Sequence, residues 1–171
     1  MRQKTKKHAP LPDSTAMKEK LCLVLLIAFQ AIATLGATTE RISRSDLHPV
    51  KDGMPGEQDL HREVVVTPGV KVPLDIAVTA KGNGYLRMGN LKLKVFDSHD
   101  DGSYYEGDLL NIDLAEIHDD GKRDVIISGI VCFTDEKGKA VLRREAVVYI
   151  YAFQPDGTFK QVFRNTDHKL D

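Results

Sequence analysis

Apolar positions recur every second residue along most of the chain. Val72, Leu74, Ile76, Val78 and Ala80 alternate with Lys71, Pro73, Asp75, Ala77 and Thr79, which places the first set on one face of an extended segment. The run Lys81-Gly82-Asn83-Gly84 supplies residues that tolerate positive φ, so a reversal is expected there, followed by a strand from Tyr85 to Phe96 with Leu91, Leu93 and Val95 facing inward. Leu110, Ile112 and Leu114 continue the alternation. The stretch Asp124 to Phe133 (DVIISGIVCF) is apolar on both faces, as a central strand would be. Turns at Asp135 to Lys139 and at Pro155-Asp156-Gly157 bracket a strand from Val141 to Phe153, and a last strand is expected over Thr158 to Phe163.

After residue 40 no window has the apolar i, i+3, i+4, i+7 spacing of a capped helix. The pattern predicts an all-β domain over residues 63–171, a compact antiparallel sheet structure of sandwich or propeller-blade type. Residues 38–62 hold few large apolar side chains and carry breakers at Pro49, Gly53, Pro55 and Gly56, which predicts a flexible leader with His48 and His61 solvated in or beside it.

The first 37 residues follow a different order. Lys18 and Lys20 precede the apolar run LCLVLLIAF, and small residues follow at Ala31, Ala33, Gly36 and Ala37. That is the order of a secretory signal peptide, with Met17 as an alternative start and cleavage expected after Ala33 or Ala37. The stretch from Leu21 to Ala33 is shorter than the roughly 20 residues that cross a bilayer, so no transmembrane segment is expected after cleavage. The product would be secreted or periplasmic.

Over the whole chain 24 Lys and Arg face 25 Asp and Glu, with no Trp and five Tyr. This balance argues against nucleic acid, whose binders carry a basic stripe interleaved with stacking aromatics. Past residue 37 the balance moves to 18 bases against 23 acids, about −5. Cys22 lies in the signal, so Cys132 stands alone there and is expected to be a buried small hydrophobe. Such a domain is held by its core, by bound ions or by oligomerisation.

Ten of the acids crowd between Asp97 and Asp124, with Lys122 and Arg123 the bases among them. Two stretches share the string His-Asp-Asp-Gly and give the frames Asp97-x-His99-x-Asp101-Gly102 and Glu116-x-His118-x-Asp120-Gly121-x-x-Asp124. Oxygen ligands at alternate positions followed by Gly can curl round a hard cation. Three readings stay open: a polar Asp-Gly turn, a Ca²⁺ loop at Glu116, His118, Asp120 and Asp124 with a second at Asp97, His99 and Asp101, or a transition-metal site using His99 and His118.

The stretch LLNIDLAEIHDDGKRDVIISG resembles an FG-GAP/VCBS-type repeat, in which an apolar strand enters an Asp-rich loop and leaves through an Asp into another apolar strand. VVYIYAFQPDGTFKQVF, from Val147 to Phe163, is similar to the second hairpin of such a repeat. The resemblance covers about residues 109–163. It implies an integrin-alpha-like propeller blade in an extracellular protein, with adhesion, carbohydrate binding or display as its function. It also implies calcium positions at Glu116, His118, Asp120 and Asp124, with Gly121 at the turn. Glu at the first position and His at the third depart from the family pattern. A propeller needs about four or more blades, so the chain is expected either to stand alone around a degenerate repeat or to assemble with copies or a partner.

Tyr104-Tyr105 lies in a Gly-bounded acidic loop, and an exposed pair could stack on a sugar or anchor a protein contact. The alternative is packing across the sheet. No Gly-x-Ser-x-Gly, His-Glu-x-x-His, Cys-x-x-Cys or phosphate-binding Gly loop occurs. The expected function is therefore an exported, non-enzymatic domain that binds a protein or carbohydrate, with a small secreted metal-dependent hydrolase as the alternative.

Overall fold

The computed structural model describes residues 39–97, 102–135 and 140–170. The segment expected to be a signal, with Cys22, and His99 and Asp101 of the first acidic string lie outside the described residues. One compact unit spans Thr38–Asp171, and it is built from two antiparallel sheets around a shared core.

The first sheet is a meander of β2 (His48–Pro49), β3 (Gln58–Thr67), β4 (Val70–Val78), β5 (Gly84–Met88) and β6 (Leu91–Phe96), hydrogen-bonded in that order. The second runs β1 (Glu40–Ile42), β8 (Asn111–Ala115), β9 (Asp124–Thr134), β10 (Val141–Phe153) and β11 (Phe159–Arg164), while β7 (Ser103–Tyr105) pairs with β9. The all-β reading holds, and of the two arrangements considered this is a two-sheet sandwich.

Alternation built the core as expected from Val72 to Val78, whereas Ala80 lies past the end of β4 and is exposed. Val72, Leu74, Ile76 and Val78 meet Leu91, Leu93 and Val95 from the first sheet and Ile112, Leu114, Ile127 and Val147 from the second in one buried cluster. β9 is central in its sheet, with β8 and β7 along one side and β10 along the other. It buries Val125, Ile127 and Val131 in the core, and Ile126 and Cys132 are buried as well. Cys132 is a buried free thiol.

Residues 40–62 are not a flexible leader. Glu40, Arg41 and Ile42 pair with Leu114, Asp113 and Ile112 at the edge of the second sheet. Ile42 and Leu47 are buried in the core. Arg41 forms a two-pronged bond to the buried Asp113 carboxylate at 2.8 and 3.0 Å. The Glu40 carboxylate lies 2.9 Å from Arg62 of β3 and 2.8 Å from Arg123, joining the two sheets. Low apolar content misled the reading because so short a strand needs a single anchored side chain, and the ion pairs do the rest. His61 is likewise held, its ring between Asp75 at 2.7 Å and Asp59 at 3.3 Å. The Asp75 hydrogen bond, with the charges of both carboxylates, raises its pKa above 6.5.

The strand expected over Tyr85 to Phe96 is a hairpin. Met88 pairs with Leu91, and Gly89 takes φ 57° at the turn, a left-handed conformation that glycine adopts without strain. A Gly-Asn pair between two alternating runs was the signal available for it.

Candidate functional site

The second acidic string forms the loop from Glu116 to Arg123 between β8 and β9. Asp119 and Gly121 both adopt positive φ, 51° and 72°, and the chain folds back tightly enough for its carboxylates to bond its own backbone. Glu116 Oε1 accepts the Gly121 N–H at 2.6 Å. Asp120 accepts the Lys122 N–H at 3.1 Å and holds the Lys122 ammonium at 2.8 Å. That hydrogen bond from Lys122 keeps the Asp120 carboxyl below its ordinary value.

Asp124 starts β9 and is buried. Its Oδ1 accepts the Phe153 N–H at 3.2 Å and its Oδ2 lies 2.8 Å from His118 Nδ1. Burial raises its pKa above 3.8, against the hydrogen bonds from His118 and Phe153 and the His118 charge. The structure thus brings His118 to Asp124, Glu116 to Gly121 and Asp120 to Lys122, rather than all four to one point.

Calcium takes about six to eight oxygens at roughly 2.3–2.6 Å. Glu116 is spent on an amide, Asp120 on a lysine, and His118 presents nitrogen to a buried carboxylate. The residues as arranged do not fit a calcium cage, and the loop is a self-capped turn. Among the described residues no group of three or more His, Cys, Asp and Glu is placed to hold a metal. In the first string, Asp97 is buried and lies 2.9 Å from Lys94 Nζ, so it serves as an internal partner. Thermal unfolding in millimolar Ca²⁺ is therefore expected to match that in chelator. A rise in midpoint that disappears in Asp120→Ala would show instead that the loop opens its carboxylates to an ion.

The two tyrosines do not form an exposed pair. They alternate along β7, and successive strand residues point to opposite faces. Tyr105 is 1% exposed in the core and its hydroxyl donates to the Lys94 carbonyl at 3.1 Å. Tyr104 is half-buried opposite Cys132, and its hydrogen bond with that thiol raises the phenol pKa.

The sequence reading missed a surface feature. β9 and β10 pair from Tyr151↔Val125 out to Val141↔Thr134, whereas β11 covers β10 from Tyr149 to Phe153. Asn165 bonds the Val148 N–H and the Ala146 carbonyl just beyond β11. The remaining length of β10 extends as an arm in which Val141 is 43% and Leu142 69% exposed, followed by the exposed Arg143 and Arg144. Arg143 stacks over the Phe133 ring at 4.1 Å. The strand's apolar alternation was legible, but where its neighbour ends is not written in β10 itself.

Among the described residues no helix is long and apolar enough to cross a membrane. No family model matches the chain, and no curated protein or solved structure does so either.

Proposed function

We propose that this protein is an exported, non-enzymatic binding domain that engages another protein through the β9–β10 arm. The observation that carries this reading is the exposed apolar edge of β10 at Val141 and Leu142, next to Arg143 and Arg144. Exposed strand edges with apolar side chains are templates for an added strand, and soluble proteins blunt them unless they are used. The signal-like N-terminus supports export. The run of β8, β9, β10 and β11 as consecutive neighbours in one sheet supports the likeness to a display or adhesion repeat.

A photo-crosslinking residue placed at Leu142 in the producing cells is expected to capture a protein that the same probe at Lys92, on the exposed side of β6, does not. Leu142→Lys, a surface change expected to alter stability by no more than about 0.5 kcal/mol, should remove that partner in a pull-down from the same cells. Equal labelling from both positions would overturn the reading.

The second reading, a small metal-dependent hydrolase, draws on the His118–Asp124 pair. A buried carboxylate bonded to one nitrogen of a half-exposed imidazole is how a general base is oriented. A hydrolytic activity lost in His118→Ala would favour it over the binding module.

A further inference from the structure

We propose that the cleft between β6, the second half of β10, β11 and the C-terminal segment binds a small organic anion through Arg164 and Lys169. The cleft has a volume of about 270 Å³ and is lined by Leu93, Tyr151, Gln161, Arg164, His168 and Lys169, among others. Typical ligand pockets run from about 300 to 1,000 Å³, so the space suits a ligand of the size of one sugar or a small acid.

Charge points to the ligand's chemistry. Past residue 37 the chain carries an excess of acids, yet the charged residues lining this cleft are bases, and among the described residues no carboxylate lines it. Such a reversal of sign inside a concavity focuses the field on an incoming anion. Arg164 lies 3.8 Å from Asp167, a fully exposed side chain. That loose surface pair is worth little, and the guanidinium can turn to a carboxylate or phosphate, which its planar fork fits with two hydrogen bonds. Lys169 adds a second cation. Gln161 can both donate to and accept from ligand hydroxyls, and Leu93 and Tyr151 supply the apolar surface for the ligand body.

The wall that carries His168 and Lys169 is fixed at several points. Lys94 N–H donates to the Leu170 carbonyl, the Tyr149 hydroxyl donates to the His168 carbonyl, and Leu170 is buried. The His168 ring packs edge-on against Tyr105 and Phe133. A cleft with ordered walls pays little to order itself on binding. This site lies apart from the exposed stretch of the β10 arm and does not depend on the reading given to it.

Calorimetric titration of the full chain with glucuronate, glucose 6-phosphate and glucose tests the proposal. Saturable binding of at least one charged sugar is expected, with glucose weaker by about tenfold or more, as the loss of a charge-assisted hydrogen bond predicts. Which of the two binds distinguishes carboxylate from phosphate as the ligand group. Arg164→Gln and Lys169→Gln should each weaken that binding by about tenfold, while Lys160→Gln on the same strand leaves it unchanged. The proposal falls if neither charged sugar saturates at millimolar concentration, if glucose binds as tightly, or if both cleft variants bind like the native protein.

Discussion

Tyr105→Ala is expected to destabilise the domain by about 3–5 kcal/mol, the cost of emptying a large aromatic site in a packed core, while Tyr104→Ala costs about 1 kcal/mol. The difference follows from their positions on β7. Tyr105 is 1% exposed and closes the core beside the C-terminal segment, with its hydroxyl on the Lys94 carbonyl and its ring edge-on to His168. Its removal would leave a cavity that β9 and β6, both held in ladders, cannot collapse to fill. Urea unfolding of the two variants reads the contrast directly. Similar small losses in both would return the tyrosines to the role of an exposed recognition pair.

Ile42→Ala is expected to lose about 2–5 kcal/mol, as for other buried aliphatic truncations. The argument rests on β1 as a structural strand. Ile42 is 1% exposed, lies opposite Ile112 at the sheet edge, and is the buried side chain of a three-residue strand. Its neighbours contribute differently. Arg41 covers the buried Asp113, and Glu40 links Arg62 to Arg123, so removing the whole segment would also uncover the buried Asp113 carboxylate and break the Glu40 link, a costlier loss than the apolar surface alone. If residues 38–62 were a leader, Ile42→Ala would not move the urea midpoint.

Both predictions arise where the sequence reading and the structure part. In β4 each inward side chain could be named in advance, because burial on one face of a strand imposes a period of two that survives any arrangement of the neighbours. The same holds for β9, whose apolar character on both faces announced a central strand. Local turn chemistry was equally readable at Gly82-Asn83 and Pro155-Asp156-Gly157, where residue type and backbone conformation are directly coupled. It was overlooked at Gly89-Asn90, where the apolar alternation continues on both sides of the turn and masks the reversal.

The candidate site was legible as a list of residues and not as an arrangement. Glu116, His118, Asp120 and Asp124 have the spacing of an ion loop, but spacing does not say which oxygen an amide or lysine will claim first. Gly121, Lys122 and Phe153 claim them here, and one of those three lies 29 positions from the carboxylate it binds. Arg164 and Lys169 carry no motif at all. They become a site because the C-terminal segment is drawn back over the sheet by Lys94 and Tyr149, residues far away in the chain.

Alternation, turn residues and the lack of helical spacing determined by themselves that this protein is built of antiparallel strands, and which faces of those strands are apolar, since these depend on neighbours within a few residues. Tertiary structure alone decided that there are two sheets, that β1 belongs to the second of them, that Tyr105 and not Tyr104 faces the core, and that a basic cleft forms at one side. Each of those outcomes is a pairing between distant segments, set by the ladder partners and ion pairs that become available when the sheets pack, and the local pattern of a chain holds no record of them.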